Sequence, residues 1–234
     1  MNILGLIPAR GGSKAIPRKN IINLAGKPLL AYTCEAALSS QRLTRIILNT
    51  DDQEIAAVGR ENGVEVPFLR PHHLAVDDAL ILPVLQHAIQ WLAANQGFQT
   101  DVLVLLQPTS PLRRAIHIDD AVDLLLGSGA DTVVSVQEVP HQYNPVSLMQ
   151  LDDQGYLKPF LEGEMILRRQ DKPRFYARNG PAILALLRRT LDSGRLFGDK
   201  VLPYEMGPLE SIDIDDQNDL TLVEALIQFE GLNK

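Results

Sequence analysis

Short apolar runs alternate with predicted helices along much of this 234-residue chain, and this alternation limits the possible folds more than any other feature. Residues 2–8, 45–50 and 101–106 each predict a strand, and residues 64–69 predict a further short one. The helical segments between them suit right-handed crossovers between parallel strands. The pattern therefore predicts an α/β fold with a doubly wound, mostly parallel sheet.

The alternation stops between residues 140 and 178, a stretch that contains four prolines together with mixed polar and aromatic residues. Such a stretch predicts an inserted arm, either a lid or a dimerisation arm. The α/β pattern resumes at residues 182–187 and 200–206 and ends with a helix from about 216 to 229. One domain spanning residues 1–234, with the arm inserted at 140–178, accounts for the whole chain.

Positive charge is concentrated at the start of the chain. Residues 1–34 contain five basic residues and no acid, although the formal net charge of the whole chain is −7. An acidic protein is a poor candidate for general nucleic-acid binding. A basic opening segment on an acidic body predicts a local anion site instead.

Other features of the composition limit the cellular compartment and the classes of partner. The single cysteine, Cys34, excludes a disulfide framework and a cysteine-based zinc site. We find no apolar stretch long enough for a membrane span and no secretory leader. We therefore expect a cytoplasmic protein with neither a membrane nor a nucleic acid as its partner.

A glycine-rich basic loop, residues 9–20 (the opening loop), follows the first predicted strand. Its glycines let the backbone approach a ligand closely, and successive N–H groups can form an anion-binding concavity. Arg10, Lys14 and Lys19 can surround several phosphates. The loop matches neither the Walker A pattern nor GxGxxG. It could be an exposed basic loop without a ligand, but the carboxyl end of a strand favours binding.

A second loop, LLQPTSPLR at residues 105–113, follows the strand at 101–106. Gln107 offers both hydrogen-bond donors and an acceptor, and two prolines stiffen the turn. A rigid loop without a ligand would look similar. The position at a strand's carboxyl end again favours a binding role.

Two acids near the end of the chain, Asp213 and Asp215, alternate with isoleucines. In an extended segment residues i and i+2 face the same way, so both carboxylates can meet one cation. Mg²⁺ prefers one or two carboxylates together with substrate phosphates. The alternative is an acid-rich helix N-terminus, which suits Asp216 and Asp219 better.

Together, the three segments predict one site for Mg²⁺ and a nucleotide. The chemistry that such a site suggests is nucleotidyl transfer, in which a hydroxyl attacks the α-phosphate and pyrophosphate leaves. Cations stabilise the charge that moves onto the leaving group.

The same segments resemble the motif series of a known family. Residues 7–20, 69–79, 105–113, 178–180 and 211–215 are similar, in order, to motifs of the acylneuraminate cytidylyltransferases, the CMP-sialic acid synthetases. The resemblance spans nearly the whole chain. It implies a Rossmann-like fold, a homodimer made by the inserted arm, and Mg²⁺-dependent activation of a nonulosonic acid by CTP. The anomeric hydroxyl would be the nucleophile, and CMP-sugar and pyrophosphate the products.

The resemblance also implies roles for individual residues. The nucleotide-binding residues would be Ala9, Arg10, Gly11, Gly12, Ser13, Lys14, Lys19, Asn20, Arg70 and Asp77. The substrate-binding residues would be Gln107, Thr109, Ser110, Asn179 and, from the arm, Arg169. Asp213 and Asp215 would bind Mg²⁺ and, with Arg10, Lys14 and Gln107, form the catalytic set.

The chain departs from the sialic-acid members at positions that concern the sugar. It has Leu80-Ile81-Leu82 where those members often have serines, and residues 179–183 read NGPAI instead of NGAIY. The runs VPFLRP (66–71), LAVDD (74–78) and QDKPRFY (170–176) look closer to members that act on bacterial relatives such as legionaminic acid. A KDO-like sugar acid, a phosphonate acceptor and a non-catalytic nucleotide-binding regulator are the alternatives.

Overall fold

The computed structural model describes residues 1–13, 15–161, 166 and 168–232. The strands are β1 (Ile3–Pro8), β2 (Asn23–Leu24), β3 (Lys27–Pro28), β4 (Arg45–Asn49), β5 (Val102–Leu105), β6 (Thr132–Glu138), β7 (Met149–Leu151), β8 (Leu157–Pro159), β9 (Tyr176–Arg178), β10 (Leu184–Leu187) and β11 (Val201–Glu205). The α-helices are α1 (Leu29–Leu38), α2 (Gln53–Glu61), α3 (Ile81–Gln96), α4 (Ala115–Ser128), α5 (Arg188–Asp192) and α6 (Gln217–Leu232).

Seven of these strands form one central sheet in the order β11-β6-β10-β5-β1-β4, with β9 also paired to β6. β1 runs parallel to β4 and β5, and β11 runs parallel to β6. β10 is antiparallel to both of its neighbours, β5 and β6. The prediction of a doubly wound, mostly parallel sheet is confirmed, with one antiparallel strand placed in its interior.

Helices cover both faces of the sheet because the side chains of each buried strand alternate in direction. On one face, Ile3 and Ile7 pack in a cluster that includes residues of α1 and α4. On the other face, Leu4 and Leu6 pack in a cluster that includes residues of α3. Completely buried strands of this kind explain why the apolar runs in the sequence are nearly continuous.

A third, smaller cluster joins distant parts of the chain beside the sheet. It includes Ile16 of the opening loop, Ile214 near the acidic residues, and Leu220 and Val223 of α6. Apolar burial therefore holds the basic segment next to the acidic segment, although about 200 residues separate them in sequence.

The strand predicted at residues 64–69 is wrong. This segment makes only two isolated bridges to the β4 region, Ile47 to Glu65 and Thr50 to Leu69. Pro67 lies between the two bridges and has no backbone N–H, so a continuous ladder cannot form there.

The segment predicted as an arm contains the β7–β8 hairpin, a 3₁₀ turn at Arg169–Asp171, and β9. Several large apolar side chains on its described part are exposed: Tyr143, Leu151, Tyr156, Leu157 and Phe160. β9 and β10 lie one after the other along the same side of β6, separated by residues 179–183 (the bulge loop). Across the described residues, no helix combines the length and the apolar character that crossing a membrane requires.

Candidate active site

A cleft of about 350 Å³ opens at the carboxyl ends of β1 and β5. Its lining includes nine of the residues predicted from the sequence: Arg10, Gly12, Ser13, Lys19, Asn20, Arg70, Asp77, Gln107 and Thr109. The remaining walls are mostly apolar and include Leu74, Val76 and Ile81. Open α/β sheets bind ligands at this edge, so the location agrees with the expectation drawn from the strand pattern.

The backbone of the opening loop is held in shape by its neighbours. Asn20 Nδ2 donates to the Arg10 carbonyl at 2.9 Å, and Gly11 N donates to Asp51 Oδ1 at 3.1 Å. A Cβ at Gly11 would lie 2.7 Å from Asp52 Oδ2, so a larger residue would collide with that carboxylate. The acids at the start of α2 therefore shape the loop, although neither was predicted to be part of the site.

Asp52 makes two further interactions here, a helix cap and an ion pair. Its side chain caps α2 by accepting from Glu54 N at 2.9 Å and Ile55 N at 3.0 Å. It also pairs with Arg18 across the opening loop, and this hydrogen bond holds the pKa of Asp52 below its usual value. Ala9 is buried, with its N–H donating to the Asn49 carbonyl at 3.0 Å.

Arg10 reaches across the cleft to the segment before α3. Its Nη1 lies 2.8 Å from Asp77 Oδ1, and both side chains are partly exposed. The pair joins two residues that were predicted to contact the nucleotide. Lys14, also predicted there, lies outside the described residues.

Arg70 is buried in the wall of the cleft and is held in a fixed position. Its Nε donates to Asn49 Oδ1 at 2.5 Å, and its Nη2 donates to the Asn49 carbonyl at 2.6 Å. Burial lowers the pKa of Arg70 to about 10. Asn49 therefore orients this cation, a role that only the tertiary structure reveals.

The loop at residues 107–113 is tied to the core by Arg113. Its Nη1 donates to the carbonyls of Gln107 at 3.0 Å and Ala182 at 2.7 Å, and its Nη2 donates to Thr33 Oγ1 at 2.6 Å. Burial lowers the pKa of Arg113 to about 9. Arg113 was not predicted to support the site. The signal in the sequence was a charged residue at the end of an otherwise uncharged loop with two prolines.

Asp213 and Asp215 (the acid pair) lie next to this loop. Asp213 is half-buried and accepts from Ser110 Oγ at 3.3 Å, whereas the side chain of Asp215 is 82% exposed. Burial raises the pKa of Asp213, and the negative charge of Asp215 adds to the effect. Lys19 Nζ lies 3.5 Å from Asp215 Oδ1 and donates to the Ile214 carbonyl at 2.8 Å.

The other two acids of this stretch serve the helix that follows. Asp216 Oδ1 accepts from Asn218 N at 2.7 Å and from Asp219 N at 3.1 Å, and Asp219 Oδ2 accepts from Asp216 N at 3.0 Å. These bonds satisfy N–H groups at the start of α6. The structure thus divides the acids as the alternation with isoleucines suggested.

The acid pair has the donor set that Mg²⁺ prefers. A cation shared by two carboxylates offsets the repulsion between their negative charges, and phosphate oxygens can complete its coordination. Among the described residues, no group of three or more His, Cys, Asp or Glu side chains could hold a metal alone. The two carboxylates therefore fit part of the coordination of such an ion, which water or phosphate oxygens can complete.

Three predicted substrate contacts, Ser110, Arg169 and Asn179, do not line the cleft. Ser110 is buried and donates to Asp213 Oδ1. Arg169 is exposed on the arm. Asn179 is only 4% exposed, and its amide is hydrogen-bonded to Ser135 and Ser211 instead of facing the cleft. The bulge loop turns this side chain inward between β6 and the acidic segment, and its contact with a substrate stays a prediction.

A doubly wound sheet with a basic loop and an acid pair at one edge defines a nucleotide-binding α/β protein. The chain belongs to the cytidylyltransferase family, whose sequence profile matches residues 4–232. The predicted family and the predicted enzyme class, a CTP-dependent cytidylyltransferase, are thereby confirmed.

Individual relatives agree with this assignment. The chain is 37% identical to CMP-N,N'-diacetyllegionaminic acid synthase of Legionella pneumophila, over 97% of each chain. It is 30% identical to pseudaminic acid cytidylyltransferase of Campylobacter jejuni, over 97% of this chain and 96% of that one. It is also 34% identical to N-acylneuraminate cytidylyltransferase of Escherichia coli, over 99% of this chain but only 54% of that protein. The chain thus spans about half the length of this last relative.

The fold is shared with more distant proteins. A solved structure of CMP:2-keto-3-deoxy-manno-octonic acid synthetase complexed with CTP matches 98% of this chain and 100% of its own, with a TM-score of 0.72. The two sequences are only 17% identical. This likeness concerns the fold alone.

Proposed function

We propose that this chain transfers the cytidylyl group of CTP to the anomeric hydroxyl of a nonulosonic acid. A bond forms between the anomeric oxygen and the α-phosphorus, the bond from the α-phosphorus to the bridging oxygen breaks, and pyrophosphate leaves. The hydroxyl proton passes to a base or to solvent. The observation that carries the proposal is the position of Lys19, which lines the cleft and joins the opening loop to the acid pair beside it.

The cations of the cleft suit the triphosphate of CTP. Arg10 and Lys19 approach from the opening loop, and Arg70 approaches from the segment after β4. Gly12 and Ser13 bring the backbone to the same surface. We assign Lys14 to this group from the resemblance alone. Charge-assisted hydrogen bonds of this kind are worth about 1.5–3 kcal/mol each.

Asp213 and Asp215 would hold Mg²⁺ in this reaction. When bound, the ion neutralises charge on the phosphates and on the departing pyrophosphate. Ser110 orients the Asp213 carboxylate through its hydroxyl. Lys19 adds a fixed positive charge beside Asp215, where the phosphates and the carboxylates would otherwise repel each other.

The acceptor would lie against the loop at residues 107–113, near Gln107 and Thr109. Arg113 fixes the backbone of this loop, so its polar groups are already in place before a substrate binds. The relatives above bear names that include legionaminic, pseudaminic and N-acylneuraminic acids, and this shared class supports a nonulosonic acceptor. No observation favours KDO, a phosphonate or a regulator.

We further propose a cytoplasmic homodimer in which residues 1–234 form one domain and residues 140–178 form its dimerisation arm. The exposed apolar side chains of the arm support this assignment, since such a surface is costly to leave in water. Arg169 is exposed on the same arm, where a partner's cleft could receive it. The lone cysteine, buried as Cys34, suits a reducing compartment.

A panel of acceptors tests the proposal. Legionaminic, pseudaminic, N-acetylneuraminic and KDO acids and a phosphonate are each mixed with CTP, ATP, GTP or UTP, and pyrophosphate release is measured. We expect turnover with CTP and at least one nonulosonic acid. Turnover with none of them would contradict the proposal. Asp215→Ala should lose this turnover, and Asp199→Ala is its control, because the side chain of Asp199 is 83% exposed and lies in a surface ion pair.

A further inference from the structure

The buried amide of Asn179 joins three parts of the fold. Its Nδ2 donates to Ser211 Oγ at 2.9 Å, and its Oδ1 accepts from Ser135 Oγ at 2.6 Å. Ala182 N also donates to this oxygen at 3.3 Å. One side chain thereby connects β6, the bulge loop and the segment that carries the acid pair.

That segment, residues 211–215, depends on such bonds because it has no helix or strand ladder of its own. Residues 212–215 have no regular secondary structure. Ile214 is anchored at its N–H by the Thr109 carbonyl at 2.8 Å and at its carbonyl by Lys19. Ser211 is anchored by Asn179, so Asp213 lies between two fixed points.

The bulge loop also borders the Asp213 carboxylate directly. Gly180 has φ +113°, and a Cβ there would lie 3.4 Å from Asp213 Oδ2. A shift of the bulge loop would therefore change the space next to this carboxylate. Asn179, the neighbour of Gly180, is the residue that fixes the loop to both Ser135 and Ser211.

We propose that Asn179 is a positioning residue whose hydrogen bond to Ser211 places Asp213, and so sets how tightly the acid pair holds a divalent cation. This inference rests on the proposed function, because it takes the acid pair as the metal site. It gives Asn179 a role that requires no contact with the substrate. Groups that orient metal ligands affect metal affinity strongly although they never touch the ion.

The first test measures metal binding without catalysis. Mn²⁺ alone is titrated into the full chain, and the free ion is measured by electron paramagnetic resonance. Asn179→Ala and Ser211→Ala should each raise the Kd for Mn²⁺ about tenfold, the lower end of what removing such a partner costs. Ser211→Thr keeps the hydroxyl and should restore most of the affinity.

Asn144→Ala is the matched control. Asn144 is also 4% exposed, and its Nδ2 donates to the Pro173 carbonyl at 2.8 Å, but it lies in the arm. Its loss should leave the Kd for Mn²⁺ unchanged. Thermal unfolding of every variant shows whether it is folded at the assay temperature. If Asn179→Ala is unfolded, the Kd of Ser211→Ala for Mn²⁺ tests the inference instead.

The second test uses activity. The Mg²⁺ concentration that gives half-maximal pyrophosphate release should rise by a similar factor in Asn179→Ala, whereas the KM for CTP at saturating Mg²⁺ should change much less. An unchanged Kd for Mn²⁺ in both Asn179→Ala and Ser211→Ala would overturn the inference, as would an equal rise in Asn144→Ala. A wild-type chain that turns over no acceptor would refute the proposed function, while the Mn²⁺ comparison would still be decisive for the positioning role.

Discussion

Replacement of Arg10 by alanine tests the proposed triphosphate site most directly. In the structure Arg10 Nη1 lies 2.8 Å from Asp77 Oδ1, with the side chains 34% and 52% exposed. An ion pair as exposed as this contributes only about 0.2–1 kcal/mol. CTP would therefore exchange a weak bond to Asp77 for a stronger bond between Arg10 and a phosphate.

The magnitude follows from the difference between these two terms. A charge-assisted hydrogen bond from Arg10 to a phosphate contributes about 1.5–3 kcal/mol. After the lost pair with Asp77 is subtracted, Arg10→Ala should weaken CTP binding by about 0.5–2.8 kcal/mol, or roughly 2- to 100-fold in Kd.

The assay is titration calorimetry with CTP at fixed salt and without an acceptor, so that no turnover occurs. Arg42→Ala is the control, because Arg42 forms a similarly exposed ion pair with Asp123 at 2.7 Å and does not line the cleft. Unchanged CTP affinity in Arg10→Ala would refute the reasoning. An equal loss in Arg42→Ala would show that overall charge, and not a phosphate contact, explains the effect.

Three further predictions concern other parts of the site. Asp215→Ala should lower kcat at least about 100-fold while circular dichroism stays unchanged, because this side chain is largely exposed; full Mg²⁺-dependent activity would disprove its role. Arg113→Ala should lower the free energy of unfolding by about 3 kcal/mol or more in urea, since it leaves the buried Ala182 carbonyl unpaired and the Gln107 carbonyl with only the 3.4 Å bond from Thr33 Oγ1; a loss below about 1 kcal/mol would contradict this. Asp52→Ala should cost about 1–2 kcal/mol at pH 7 through its lost helix cap. Because the pKa of Asp52 is lowered from 3.8, wild-type Asp52 contributes this stability above about pH 4 and loses it as the pH falls through the folded-state pKa. The difference from the variant should therefore shrink towards pH 2, and a difference that grows in acid would show the sign to be wrong.

Local sequence patterns were sufficient to locate strands, because a strand's apolar run depends on neighbouring residues. The apolar runs of β1 and β5 are buried on both faces, so their strands could be located from the sequence. The strand expected at residues 64–69 failed because one proline removes a donor that a ladder needs. The antiparallel β10 between β5 and β6 could not be predicted, because strand order depends on pairings between distant segments.

The functional site also has features that the sequence revealed and features that depend on the fold. The opening loop, the loop after β5 and the alternating acid pair each carried a local signal of residue type and spacing, so the sequence by itself determined the class of reaction. It also indicated the acceptor class, through the resemblance at those segments. These local signals do not show that the three segments meet. The fold is what brings Arg10, Lys19 and Asp215 into one region.

Tertiary structure decided how those residues are held. Asn49 orients Arg70, Arg113 ties two loops together, and Asn179 turns inward to Ser211. Each of these contacts depends on burial that removes competing water, and most of them join residues far apart in the chain. Residue type and spacing report which groups are available for chemistry. Only the packed fold determines which of them face the cleft and which support it from behind.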